Sequence, residues 1–382
     1  MTWTARVRTP ALQLLDPIEV TELTMVEAYP QPATLVMEGL LDEMRPALQP
    51  GWGVLVYDAE GNRRFNGLTT MIKRLGNKTA ELGFTSDLIW LWWRAVYPNH
   101  LAAWAAQTSD KATFTGTAEQ RILDLVNRNA GPAALAARRI GLTVPPSLGR
   151  GASGTTTSVI TDKVGPLVAA LAEAASLRVD VVQNYTGGTP RLDLTVTSVP
   201  DLRSTARIGT AYDGGPIILG DDWFYQLGVE ESTVTAALAS AGGSGAARVF
   251  REKTASSDQN PFGFRIESVV DMAGTTDTGE IDDGLASALS EGAPGTQLSL
   301  PIGESDLRFG SDIPLGSMVR AFLDGQLVDN RIREITTVVS GSADSATETV
   351  TAVMGVPDGG ASGTDAALLK NMLKRVQKLE AR

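Results

Sequence analysis

The feature that most limits this chain is how its apolar residues are parcelled. They come in short runs set between turn residues. Gly53-Val-Leu-Val-Tyr57 is followed by Asp58-Ala-Glu-Gly-Asn62 and then by Arg63-Arg-Phe-Asn-Gly67, which is a hairpin pattern. Ala80 to Phe84 reads as another strand, and Ser86-Asp87 as the cap of a short aromatic segment, Leu88 to Val96, that Pro98 ends. Towards the other end, Val319–Leu323 and Gln326–Val328 flank Asp324-Gly325, a pair suited to a type I′ turn. Ile332–Val339 and Thr347–Met354 extend that hairpin as a meander. A chain punctuated this way folds mainly as sheets.

The middle reads differently. Thr117-Ala-Glu-Gln120 fits a capping box ahead of Ile122, Leu125 and Val126 at helical spacing, and Gly131-Pro132 closes that helix. A second helix carries Val164, Leu167, Val168, Leu171 and Ala175 on one face, with Pro166 in its first turn. Leu177–Gln183 and Arg191–Thr197 then read as strands, which makes this an α+β module. Ala239-Ser-Ala-Gly-Gly-Ser-Gly245 is expected to be a flexible turn or loop, and Ile281–Leu289 a short helix with acids at its start. After a linker, Val356 to Gly363, residues Asp365–Arg382 form an amphipathic helix. Leu369, Met372, Val376 and Leu379 follow a/d spacing there, among Lys370, Lys374, Arg375 and Lys378. They are the candidates for self-association, set against a helix docked on its own body.

Composition excludes much chemistry. With 382 residues the chain holds two or three domains. It has no cysteine and one histidine, His100, so disulfides, thiol catalysis and cysteine- or histidine-rich metal sites are out. The net charge is −11, and the stretch from Asp201 to Arg320 holds 18 acidic against 8 basic residues. Such an excess disfavours general affinity for nucleic-acid phosphates or anionic membranes. The most apolar run, Leu88-Ile-Trp-Leu-Trp-Trp, stops at Arg94, short of a membrane span. No secretory h-region follows Met1, so folding in a cytoplasm is expected.

Each motif with a chemical reading has a plainer one. Asp277-Thr-Gly279 is the aspartic-protease tripeptide, but it lies in a polar context with no apolar strand leading in. Gly149-Arg-Gly-Ala-Ser-Gly154 matches the dinucleotide fingerprint, yet Pro145-Pro146 precedes it and an extended Thr-rich run follows. His100 has no nucleophile signature beside it. Asp221-Asp222 and Glu230-Glu231 are paired acids that suit either a glycoside hydrolase or Ca²⁺, and their spacing selects neither. Trp90 and Trp93 share a helix face, with Trp92 elsewhere; they are candidates for an interface or a glycan contact. No catalytic residue, metal site or cofactor is expected.

The order of certain segments resembles a known family. Pro50-Gly-Trp-Gly-Val-Leu-Val-Tyr with Phe65-Asn-Gly67 comes first, then Leu82-Gly-Phe-Thr-Ser-Asp with Trp90, Arg94 and Tyr97-Pro98. Gly116-Thr-Ala-Glu, Arg138-Arg-Ile-Gly-Leu142 and Gly149-Arg-Gly151 follow, and later Leu307-Arg-Phe-Gly-Ser-Asp-Ile-Pro-Leu-Gly-Ser-Met-Val319 and Arg333-Glu-Ile335. Across roughly Leu12 to Pro357 this is similar to the minor tail proteins, or tail hubs, of siphophages infecting actinobacteria. The resemblance implies a β-rich α+β fold with two tail-tube-like β-barrel domains and an inserted α+β module. The layout would be 1–112 for the first tube domain, 113–205 for the α+β domain, 206–355 for the second tube domain with an insert near 251–300, and 356–382 for the linker and helix. It further implies a homotrimer at the tail tip, assembled in the host cytoplasm. Expected partners are the distal tail protein, the tube or tape measure, and fibre or receptor-binding proteins, with DNA passing unbound. A distal-tail adaptor ring, a carbohydrate-binding receptor protein and, last, a cell-wall hydrolase are the alternatives.

Overall fold

The computed structural model describes residues 3–355 except 19–21, 41, 43–48, 50, 59, 76–78, 161, 186–188, 206, 210–216, 219–225, 230–233, 244, 246–247, 257–262, 273–275, 277, 293–295, 303–307, 324–325 and 342–346. The expected C-terminal helix, with Leu369, Met372, Val376 and Leu379, lies outside the described residues, as do Asp221, Asp222, Glu230 and Glu231. The chain divides into two compact units, one built from 1–223 and 300–353, the other from 224–299.

The first unit opens with seven antiparallel strands: β1 (Thr4–Arg8), β2 (Leu14–Ile18), β3 (Glu22–Ala28), β4 (Thr34–Leu40), β5 (Gly53–Tyr57), β6 (Arg63–Leu75) and β7 (Thr79–Ser86). In space they run β3-β4-β7-β6-β5-β1-β2. The expected β5–β6 hairpin is there. Its turn closes on Asp58, whose carboxylate accepts from the backbone N–H of Glu60 (3.1 Å) and Asn62 (2.7 Å), the local bonding that favours Asp in turns. Val54, Val56, Leu35, Met37, Leu82 and Phe84 alternate inward to form the core of this sheet.

The aromatic segment departs from expectation. It forms only a single helical turn, α1 (Ile89–Trp92), whose N-cap is Leu88 with no side-chain cap bond. Asp87 does not cap it, because its carboxylate is fully buried and bonded to Arg8.

The α+β module follows. β8 (Lys111–Thr117) pairs antiparallel with β10 (Ser153–Val159), and α2 (Ala118–Asn129) starts where β8 ends. Thr117 caps α2 as expected, its hydroxyl accepting from Gln120 N at 3.3 Å. β9 (Leu142–Thr143), β11 (Leu177–Asn184) and β12 (Arg191–Ser198) make a second sheet, and α3 (Val164–Ala174) carries Pro166 in its first turn. Ile122, Leu125 and Val126 of α2 meet Val164, Val168 and Ala172 of α3 over Val179, Val181 and Leu194.

Two short strands, β13 (Arg207–Gly209) and β14 (Ile217–Ile218), end this part of the chain. In the second unit, β15 (Gln226–Val229) pairs with the first half of β19 (Thr296–Ile302). β16 (Ala236–Ala241) lies between β17 (Phe250–Thr254) and β18 (Glu267–Met272), under α4 (Thr278–Glu291). The Ala239–Gly245 segment expected as a loop is strand up to Ala241. Ala237, Ala239 and Ala241 are small enough to bring α4 close, and Ile281, Leu285 and Leu289 pack on them.

The chain then re-enters the first unit. β20 (Met318–Leu323) and β21 (Gln326–Ser340) form the expected hairpin, with Leu323 paired to Gln326 across a two-residue connection. β21 runs on to Ser340 and pairs through Glu334–Ser340 with β3, while β22 (Thr347–Met354) pairs with β21. The early and late β-regions therefore share one sheet, ordered β14-β13-β20-β21-β3-β4-β7-β6-β5-β1-β2. Among the described residues that path has two ends rather than closing on itself.

Gly165 shows how tightly α1 and α3 approach. A Cβ there would lie 2.3 Å from Trp92 Cδ2. Gly165→Ala is expected to destabilise the first unit by about 1–3 kcal/mol through overpacking, read as a lower urea midpoint with an unchanged slope.

Candidate functional site

The chemical candidates come apart in the structure. Asp277 lies outside the described residues, and Thr278 and Gly279 are the exposed first residues of α4, not a buried strand bend. His100 sits in a turn, and burial first, then the Arg128 guanidinium, pull its pKa below the ordinary value. Among the described residues, no three His, Asp or Glu side chains gather as a metal site, and no helix is long and apolar enough to cross a membrane.

The Gly149–Gly154 loop has a structural explanation that its sequence did not reveal. Glu119, buried at the start of α2, accepts from the backbone N–H of Leu148 and Arg150, both at 2.9 Å, and pairs with Arg150 Nη2 at 3.1 Å. Gly151 passes so near α2 that a Cβ would sit 2.7 Å from Ala118 Cβ. The loop wraps a carboxylate from inside the protein; Gly151 serves its close packing on α2, and Gly149, with a φ of 78° and open space around it, serves the turn. With charged hydrogen bonds worth ~1.5–3 kcal/mol, Glu119→Ala should speed amide exchange at Leu148 and Arg150 by about tenfold or more, while distant amides in β5 stay slow.

The strongest polar constellation is one the sequence did not single out. Arg8, at the end of β1, is buried and donates through Nη1 to Asp87 Oδ2 and to Gln183 Oε1, both at 2.7 Å, while Nη2 meets Asp87 Oδ1. Asn66 of β6 donates to Asp87 Oδ2 (2.6 Å) and to the carbonyl of Val181 (2.9 Å). Gln183 donates on to the Leu12 carbonyl (2.6 Å), and the Tyr185 hydroxyl donates to the same oxygen (2.8 Å). Three strands, β1, β6 and β11, and the residue just past β7 thus converge on one ion pair inside the first unit. The available signal was phase. Leu177, Val179 and Val181 alternate inward along β11, and Gln183 is the next inward position.

This junction makes two predictions. Removing one partner of a buried pair strands the other, so Asp87→Ala should cost about 3–5 kcal/mol in urea unfolding. Burial, with a smaller push from Tyr57, raises the Tyr185 phenol to about 12, against the opposing pull of Arg8 and Arg6. The unfolded phenol ionises near ~10, so between about 10 and 12 unfolding releases a proton and stability falls as pH rises. The urea midpoint from pH 8 to 11.5 should fall more steeply for the natural chain than for Tyr185→Phe.

Just beyond Asp87 the chain builds an aromatic surface. Trp90 and Trp93 meet edge to face at 5.3 Å, and the Arg94 guanidinium lies 6.0 Å from the Trp90 ring. Arg138 stacks 3.5 Å over Tyr97, and Tyr97 touches Trp104 at 5.2 Å. Trp90 is half-buried and Trp93 is 50% exposed, so of the two candidates Trp93 presents more of its surface. Trp104 was missed in the sequence, being isolated among alanines.

The family described as Siphovirus ReqiPepy6 Gp37-like protein matches residues 4–355. The chain belongs to that family. No curated protein matches it. Among solved structures, the 43 kDa tail protein of prophage MuSo2 from Shewanella oneidensis is similar with a TM-score of 0.54 and 12% identity, over 93% of this chain and 98% of that one. Prophage tail protein gp18 from Listeria monocytogenes EGD-e gives 0.52 at 12% identity, over 96% and 98%. A tail protein from Neisseria meningitidis MC58 gives 0.53 at 11%, over 94% and 98%. This siphovirus family member therefore has the β-rich fold of phage tail proteins.

Proposed function

We propose that this chain is a structural component of the phage tail, and specifically the hub at the tail tip. Three copies form a ring that closes the distal end of the tube, carries fibres or receptor-binding proteins, and opens for DNA ejection. It works by assembly and conformational change, without bond chemistry, as part of the virion. The observation that carries this reading is the end-to-end likeness to tail proteins, combined with family membership over residues 4–355.

The physical chemistry supports it. A three-fold ring that meets a six-fold tube must present two similar surfaces per chain. Residues 1–112 and 206–355, the two β-rich regions, are the proposed source of those surfaces. A conduit for DNA must not bind phosphate, and the acid-rich stretch from Asp201 to Arg320 suits a wall past which DNA slides. Leu369, Met372, Val376 and Leu379 are proposed to seat the C-terminal helix against a neighbouring copy.

Light scattering and negative-stain imaging of the purified full chain, with and without residues 364–382, test the proposal. The expected result is a particle of three times the chain mass with three-fold symmetry, diminished by the truncation. A six-fold ring would replace the hub with a distal-tail adaptor. A stable monomer that sediments with cell-wall fragments would replace it with a receptor-binding protein.

A further inference from the structure

This acid-rich chain has two long stretches without acids. No Asp or Glu occurs from Leu88 to Ser109, nor from Leu125 to Thr161, while Arg94, Arg138 and Arg139 do; Arg128 and Arg150 also lie there but are paired with Asp124 and Glu119. The fold brings these two stretches together. Asn129 Oδ1 accepts from Tyr97 N (2.8 Å), Leu135 N donates to the His100 carbonyl (2.9 Å), and Arg138 donates to the Ala95 carbonyl.

The result is a continuous cationic and aromatic surface, linked Trp93–Trp90–Arg94 at one end and Arg138–Tyr97–Trp104 at the other. Burial lowers the pKa of Arg94, and burial together with nearby Arg94 lowers that of Arg138. Arg94 Nε is buried without a hydrogen-bond partner. Trp104 is 51% exposed and Leu101 62%. The loop bearing them is pre-shaped, because Gln107 bonds Asn99 through both its amide oxygen and nitrogen, each at 2.8 Å. Rigid aromatic side chains beside arginines, with water able to be expelled around them, are the composition of interface hot spots.

The second unit carries a surface of opposite character. The α4 helix covers the β16 face formed by Ala237, Ala239 and Ala241. Register places Leu238, Glu252 and Val269 side by side on the other face, flanked by Ser240, Phe250 and Asp271. Phe250 and Val269 are each 70% exposed. Glu252, Glu267 and Asp271 give the face an acidic charge, and Arg265, bonded to both glutamates, neutralises part of it. Exposed apolar side chains interspersed with carboxylates complement aromatic rings among arginines.

The geometry points to a head-to-tail contact between copies, in which the Trp93–Trp104 surface of one chain seats on the open Phe250–Val269 sheet face of the next. This rests on the reading of the chain as a ring-forming tail component. A ring with three-fold symmetry needs two different complementary surfaces on each chain, as opposed to one self-complementary patch. The chain's charge is segregated into such a pair.

The test uses the full chain and two variants altered only at exposed positions, Trp93→Ala/Trp104→Ala and Phe250→Ala/Val269→Lys. Circular dichroism and the urea midpoint check that each variant folds like the natural chain. Sedimentation at micromolar concentration is expected to show the natural ring weakening as salt rises, and each variant dissociating with association at least about thirtyfold weaker. Mixed together, the two variants retain one intact contact per pair and should form a one-to-one dimer.

If the natural chain forms rings and both variants do too, the contact is overturned while the hub reading stands. Loss of binding to purified peptidoglycan–teichoic acid sacculi with the ring intact would overturn it in favour of a glycan site. A natural chain that stays monomeric at every concentration removes the ring reading and this contact with it.

Discussion

The burial of Arg8 constrains everything around it. A guanidinium taken out of water is tolerable only with its charge paired and its donors occupied. Asp87 and Gln183 meet that demand, and Asn66 holds the Asp87 carboxylate in place. Because these residues come from β1, from just past β7, from β6 and from β11, satisfying one cation fixes the opening sheet against the α+β module. Gly53 belongs to the same requirement, since a Cβ there would come within 2.7 Å of Arg8 Nε. Tyr29 adds a second tie, its hydroxyl donating to the Leu177 carbonyl at 3.0 Å while Arg331 of β21 faces its ring at 5.4 Å.

This frame sets the position of the aromatic surface. Asp87 immediately precedes Leu88 and the α1 turn, so the anchor that locks the sheet also sets the starting point of Trp90 and Trp93. Gly165 then lets Trp92 lie flat against α3, leaving Trp93 turned outward. A surface held by a buried ion pair and a close-packed helix loses little conformational entropy on docking, as an assembly protein requires.

Much of this was legible in the sequence where a local rule governs. The β5–β6 turn, the Thr117 cap, Pro166 at the start of α3 and the Asp324-Gly325 hairpin each depend on neighbours a few residues away. Where distant residues decide, the sequence misled. Ser86-Asp87 carries the composition of a helix cap, but Arg8, 79 residues earlier, claims the carboxylate. Ala239-Ser-Ala reads as loop composition, yet small residues are what a strand beneath α4 requires. The Gly149–Gly154 motif gave no hint that its organiser would be Glu119. The two β-rich regions were visible as strands, but their pairing through β3 and β21 depends on contacts some 300 residues apart, which no local pattern encodes.

The central claim is that this chain forms a three-copy ring at the end of a phage tail. Counting its copies in purified virions, by quantitative mass spectrometry against the major tube protein, tests it most directly when combined with antibody labelling of intact particles. The account predicts three copies per virion and label confined to the distal tip. Absence from the virion, label along the tube, or a copy number matching the stacked tube rings would contradict it.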